Sequence, residues 1–473
     1  MNDLKKESKY YIKVSIITFI ILFIILLGFY PGLVPYDGDN QWQQVQSGII
    51  INNHPFFSTF FMLILSKLWN SVTIIILYQI LLFAISWGYF CKVLKLKNKI
   101  QYKIMYIVTI CIVLYPLTCL YSITLWKDIL YTIYLFLCAV MLYDWQSSSY
   151  NFSKYKYVIL GVIISMIFSY RHNGVIVAIL LLIIFYIICI KKYRTKIIEK
   201  HILKKNAIVL ITFIIMIITI FIPKKIILNR SEKKLKSQEN YVESFSTLDG
   251  YMLWIMGAHI KNNNIKNEKD KIFLNQIIPL NEWKELYNPY LINSTHNAQN
   301  LNRNYLIKNN KKFEKLFIKY SLDNPDTILR HYLKSDSLLL NPVSSLDGYV
   351  YVYCFPEMGF LPKYTEIKPI LPFIKDIYKK ISDLSFYKPF IIFYEPAFVL
   401  YVSIIIAFIL SKKNYGKKIW IFILPMILNT ISLLPINLAQ DLRYVYINYL
   451  TFYGLILMFL LNIKAVIKRT KRK

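Results

Sequence analysis

Val14-Ser-Ile-Ile-Thr-Phe-Ile-Ile-Leu-Phe-Ile-Ile-Leu-Leu-Gly-Phe-Tyr30 runs straight into Pro31-Gly-Leu-Val-Pro-Tyr-Asp37-Gly-Asp39-Asn-Gln41. The first stretch is free of charge and, as a helix, close to the roughly 20 residues that span the hydrocarbon core of a bilayer. Lys5, Lys6, Lys9 and Lys13 precede it, so the positive-inside bias holds that end in the cytoplasm. Its far end then delivers a Pro/Gly-rich turn and two carboxylates to the outer membrane surface. The beginning looks like a secretory signal, but no small-residue cleavage site follows, so the reading is an uncleaved anchor.

The rest of the chain extends the pattern. With 56% hydrophobic and 16% aromatic residues and a mean hydropathy of +0.42, 473 residues are too apolar for a water-soluble protein. The formal charge of +31 does not point to nucleic acid, because Lys and Arg fall in short runs between apolar spans. The six cysteines lie mostly within those spans, with Cys354 alone in the large external region, and offer no disulfide framework or Cys-x-x-Cys pair.

Apolar runs place spans near 14–30, 71–91, 103–120, 127–143, 157–170, 174–190, 206–222, 391–410, 419–436 and 444–463. About ten crossings make an all-α polytopic membrane protein with both termini cytoplasmic. Three parts follow: an N-terminal transmembrane module over 1–222, with a first external loop at 31–70; an external domain over 223–390; and transmembrane helices with a basic tail over 391–473. In the first loop, Pro55 to Trp69 reads as an interfacial helix, with Asn53 or His54 as its cap. The spacing of Phe313, Phe317 and Tyr320, then Ile328, Tyr332 and Leu333, predicts a mostly α-helical external domain, with Asn324-Pro325 opening a helix. The 157–170 span is short and ends on Tyr170-Arg-His-Asn-Gly, which calls for a protein-lined or wet cavity in the outer leaflet.

This topology gathers six polar clusters on one face: Asp37 to Gln41, Asn52 to Pro55, Leu125 to Asp128, Arg171 to Gly174, Leu248 to Tyr251 and Gln440 to Tyr444. A carboxylate from Asp37 or Asp39 could accept a hydroxyl proton or ligate a divalent ion; an ordinary Asx turn gives the same pattern. His54 could bond a phosphate or sugar hydroxyl. Lys127 and Trp126 suit the headgroup belt, whereas Asp128, an acid at the start of a crossing, must pair or face a cavity. Arg171, beside Asn173, and Arg443, beside Asp441 and Tyr444, bring guanidinium groups to the level of lipid phosphates, where bidentate contacts hold a phosphate leaving group. Walker loops, dinucleotide fingerprints and His-Glu-x-x-His zinc motifs are absent from the sequence, so reactivity must come from the substrate.

The ordered series Pro-Gly, Pro-x-Asp-x-x-x-Gln, His-Pro, Trp-Lys-Asp, Arg-x-Asn-Gly and Asp-Leu-Arg-Tyr resembles a poorly characterised bacterial branch of the GT-C superfamily of integral-membrane glycosyltransferases. The resemblance implies a polyprenyl-phosphate-linked sugar as donor and a cell-envelope glycan, lipid or protein as acceptor. It implies an active site facing outside, with Asp37 or Asp39 as catalytic base and displacement with inversion. Gln41, His54, Lys127, Asp128, Arg171, Asn173, Asp441, Arg443 and Tyr444 are the expected substrate-binding set. A divalent metal, Mg2+ or Mn2+, on Asp37 and Asp39 is left open as cofactor. Two other classes fit the same layout: an envelope polysaccharide polymerase or ligase, and a lipid or sugar transporter.

Overall fold

The computed structural model describes residues 2–96, 98–237, 247–343, 368–385, 394–413 and 415–470. Among them lie 22 α-helices and no β-sheet, only the isolated bridges Leu33 to Thr124 and Leu291 to Ala439, so the all-α class holds. Cys354 and much of the predicted external domain's C-terminal part fall outside the described residues.

Among the described residues, five helices are long and apolar enough to cross a membrane: Lys9–Gly28, Val72–Val93, Lys127–Ser147, Gly174–Arg194 and Lys200–Lys236. A sixth candidate is the pair Lys99–Leu114 and Pro116–Ser122, bent by 67°. The sequence predicts a span near 103–120; the chain bends there at Pro116, which has no N–H to give and before which Tyr115 goes extended. The other expected spans coincide with shorter helices, Lys154–Tyr170, Pro396–Lys412, Lys418–Leu433 and Ile447–Asn462. An exposed apolar surface runs along the first helix, where Ile12, Ile16, Ile20 and Ile24 are each about half exposed in one i, i+4 stripe.

The chain divides into two compact units. The first comprises Met1–Lys233, Val352–Ser432 and Arg443–Lys473 and holds the apolar span candidates, apart from the end of Lys200–Lys236 beyond Lys233. The second comprises Lys234–Tyr351 and Leu433–Leu442. Short helices there, from Thr247–Lys261 to Ser337–Leu340, enclose a core of Leu253, Met256, Leu274, Ile277, Trp283 and Phe313. Each fully buried aliphatic side chain contributes roughly 1.5–3 kcal/mol relative to exposure in water. Helix Pro325–Ser335 begins where Asn324-Pro325 predicts. The 433–442 segment joins this unit through Ile292 N–H donating to the Leu438 carbonyl and through the Gln440 side chain, which accepts from Leu338 N–H at 2.8 Å.

In the first unit, packing of the short loops fixes the polar end. Leu33 and the 123–125 segment exchange backbone hydrogen bonds, at 3.0 Å to the Ile123 carbonyl and 2.8 Å from Leu125 N–H. Buried Gln79 donates to the carbonyls of Tyr121, Ser122 and Thr124, holding that segment from the helix Val72–Val93. A third contact is made by Gly38, whose missing Cβ would stand 2.2 Å from the Leu125 carbonyl oxygen. Asp37 is thereby pressed against the start of the helix Lys127–Ser147.

Candidate functional site

Asp37 and Asp39 do not sit in a turn, as the sequence reading has it. They occupy the first turn of a helix, Tyr36–Ser47, with extended Pro35 at its N-cap. Carboxylates suit that position because unpaired N–H groups and the helix dipole make it positive. The glycine between them answers the close approach of Leu125 rather than a turn conformation.

Three cations converge on Asp37 and Asp128. Arg443 Nη1 lies 2.9 Å and Lys127 Nζ 3.6 Å from Asp37 Oδ2. Arg171 Nη1 lies 3.1 Å from Asp128 Oδ1, while Lys127 Nζ and Arg443 Nε stand 3.8 and 3.9 Å from Asp128 Oδ2. Asp128 is 1% exposed and Asp37 27%, so the cluster has a sealed end and an open end. Among the described residues the cluster sets three cations against two carboxylates, a field that favours an anion.

Aromatic rings hold the guanidinium planes. Arg171 lies 4.5 Å from the Tyr444 ring centroid and 5.6 Å from that of Tyr131; Arg443 lies 4.8 Å from Trp126 and 5.2 Å from Tyr444. The Trp126 indole N–H is buried and makes no hydrogen bond among the described residues. His54 sits half-buried at the edge, within the electrostatic reach of Lys127, Asp37, Asp128 and Arg443. Burial and then Lys127 lower its imidazole to about 3, so it is neutral at pH 7. Burial alone would raise Asp37, but Arg443, Lys127 and His54 outweigh it and hold the carboxyl well below the usual carboxylate range.

Other expected site residues have bonds of their own. Asp39 Oδ2 accepts from Gln43 at 2.6 Å, and burial raises its carboxyl above the ordinary value. Residues two apart on a helix point about 200° away from each other at 3.6 residues per turn. As a shared divalent-ion site the two acids therefore fit poorly. Gln41, fully buried, donates to Ser58 at 2.7 Å and Thr59 at 2.9 Å and ties its helix to Phe56–Ser66. That second helix starts one residue after the expected Pro55, with no side-chain cap; Asn53 Oδ1 instead accepts from His54 N–H and Gln44. Asp441 is buried in the second unit, where its N–H bonds the Ala439 carbonyl.

Asn173 leads to a residue that the sequence reading missed. Its amide donates to Asn429 Oδ1 at 3.2 Å and to Ser432 at 3.0 Å. The same Asn429 Oδ1 accepts from the Tyr131 hydroxyl at 2.9 Å, and Asn429 Nδ2 donates to the Tyr444 carbonyl at 3.0 Å. One buried amide thus fixes both tyrosines that flank Arg171. An Asn inside the otherwise apolar Lys418–Leu433 was the available signal, since buried polar groups in such helices are rare and must be bonded.

No family model matches the chain, and searches of curated proteins and of solved structures find no match either.

Proposed function

We propose that the chain is an integral-membrane glycosyltransferase that moves a sugar from a polyprenyl-phosphate donor to a cell-envelope acceptor at the outer face. The observation that carries this reading is the convergence of Lys127, Arg171 and Arg443, from three separate segments, on Asp37 and Asp128. On this reading the four shorter apolar helices and the bent pair also cross, giving about ten crossings with both termini cytoplasmic. The cluster then lies at the depth of lipid headgroups.

The acceptor hydroxyl oxygen attacks the anomeric carbon as the carbon–oxygen bond to phosphate breaks. Polyprenyl phosphate departs with the electron pair, the configuration inverts, and the hydroxyl proton passes to a carboxylate. A phosphate leaving group needs no general acid. Arg443, Lys127 and Arg171 stabilise the departing charge from fixed positions. Asp37 is the base: it touches the cations that bind the phosphate, and the negative charge of the bound phosphate offsets their pull on its carboxylate and returns basicity to it.

The test is release of polyprenyl phosphate by purified, reconstituted protein from a panel of polyprenyl-phosphate sugars with candidate acceptors, comparing wild type, Asp37→Asn and Asp39→Asn. Consumption of one donor, abolished by Asp37→Asn in a folded protein, supports the reading. Loss in Asp39→Asn alone moves the base to Asp39. Full activity in both variants defeats the mechanism and favours the polymerase or ligase class; turnover of no donor favours a transporter.

A further inference from the structure

The helix Pro372–Ser385, Pro-Phe-Ile-Lys-Asp-Ile-Tyr-Lys-Lys-Ile-Ser-Asp-Leu-Ser, has an apolar arc wider than the protein covers. Ile374 and Tyr378 are its buried stripe. Ile374 presses on Gly28, where an added Cβ would stand 2.7 Å from it, and Tyr378 meets the Phe29 ring at 6.5 Å. The approach to the helix is pinned at the same point, since Lys368 N–H donates to the Tyr30 carbonyl at 2.7 Å and Ile370 N–H to the Leu27 carbonyl at 2.8 Å. Its seat is therefore the end of the first apolar helix, beside the break of the bent pair, where the Tyr378 hydroxyl donates to the Leu114 carbonyl at 3.4 Å.

Beside the buried stripe runs a second one. Ile370, Phe373 and Ile377 are 55%, 59% and 50% exposed. At 100° per residue Phe373 and Ile377 lie about 40° apart and next to Ile374; Lys379 and Asp376 lie about 170° and about 130° from the middle of the apolar arc, and Lys380 flanks it beside Phe373. The helix on whose end the three apolar residues sit exposes Ile12, Ile16, Ile20 and Ile24, and Gly28, the next position in that i, i+4 series, is the residue Ile374 covers. An amphipathic helix with lysines on its polar arc, fixed where an apolar crossing ends, has the makings of an interfacial element.

We infer that Pro372–Ser385 is a lipid-surface helix: it lies in the plane of the bilayer interface, with Phe373 and Ile377 in the acyl boundary and its polar arc at the headgroups. The occupant of the exposed stripe is membrane lipid, not a protein partner. Because the same helix grips Leu27 to Tyr30, bilayer contact bears on the segment that leads into Pro31 to Asp37. The inference requires that the first helix crosses a membrane and is independent of the transferase reading.

The test places a photo-reactive p-benzoylphenylalanine at Phe373, at Ile377 and, as control, at Asp376 in the full chain. The protein is reconstituted in vesicles of phosphatidylethanolamine and phosphatidylglycerol. After irradiation, lipid adducts on positions 373 and 377, and none on 376, are expected by mass spectrometry of the intact variants. Adducts linking two copies, cross-links within the chain, or no lipid adducts at 373 and 377 in monodisperse protein would overturn it. A Phe373→Tyr variant retains the ring and folding, and serves as the unreactive reference.

Discussion

Arg443 Nη1 stands 2.9 Å from Asp37 Oδ2 and joins the start of the last helix to the first turn after the first one. The pair is the open end of the cation cluster, and on the transferase reading its guanidinium is the group a phosphate meets. Arg443→Gln should lower kcat for polyprenyl phosphate release by about 10²–10³, the effect of removing one preorganised transition-state donor. Arg443→Lys should recover only part, since a point charge cannot make the planar two-point contact. Steady-state kinetics on the reconstituted variants reads both; an unchanged kcat in Arg443→Gln would remove Arg443 from the chemistry.

The closed end behaves differently. Asp128 is 1% exposed and answers to Arg171 at 3.1 Å. Arg171→Leu leaves a buried carboxylate with a partner removed, which destabilises by about 3–5 kcal/mol. Asp128→Asn with Arg171→Leu should restore a large part of that loss, because no uncompensated charge remains. Thermal unfolding in detergent across the double-mutant cycle gives the coupling. Additive effects of the two substitutions would show that the pair does not act as a unit.

How far the sequence foretold this cluster depends on which residues are asked about. Asp37, Lys127, Asp128, Arg171 and Arg443 were legible because charge at the end of an apolar helix needs a partner or a cavity. Their pairing was not, since Asp37 meets Arg443 through the packing of Leu33, Gln79 and Gly38 against the 121–125 segment. Asp-Gly-Asp read as a turn because that composition favours turns, yet Pro35 before it and acids in the first positions equally describe a helix start. Gln41 looked like a site residue from its place in the motif, but a side-chain amide facing Ser58 and Thr59 across two helices is a packing contact no local pattern records.

His54 gives a prediction in pH. Burial and Lys127 lower its folded value to about 3 from 6.5, so the unfolded chain binds more protons between those values. Its contribution to stability is therefore complete above pH 6.5 and is lost as pH falls towards 3. His54→Gln should flatten the fall of the unfolding temperature over that window and leave it unchanged above pH 7. Asp37 acts in the same direction but only below the ordinary carboxylate range, so the two are separable. An identical acid-side profile in His54→Gln would mean that the imidazole titrates in the folded protein much as it does in the unfolded one.

Asn429 is where structure and proposed chemistry are most tightly joined without contact to substrate. Its Oδ1 accepts from Tyr131 and Asn173, and its Nδ2 donates to the Tyr444 carbonyl, so it holds the two rings on either side of Arg171. Asn429→Leu removes all three bonds and takes the acceptor from the buried Tyr131 hydroxyl and the donor from the Tyr444 carbonyl, at about 1–3 kcal/mol for each group left unsatisfied, so loss of activity alone would say little. Asn429→Asp is the sharper variant. It keeps the acceptor for Tyr131 and Asn173, loses the donor to the Tyr444 carbonyl, and brings a carboxylate to the tyrosines that flank Arg171. If Asn429 positions the guanidinium for phosphate, Asn429→Asp should lower kcat while KM for the acceptor stays near wild type. If Asn429 serves packing alone, kcat should follow the fraction of folded protein in every variant, and normalising to that fraction should restore the wild-type rate.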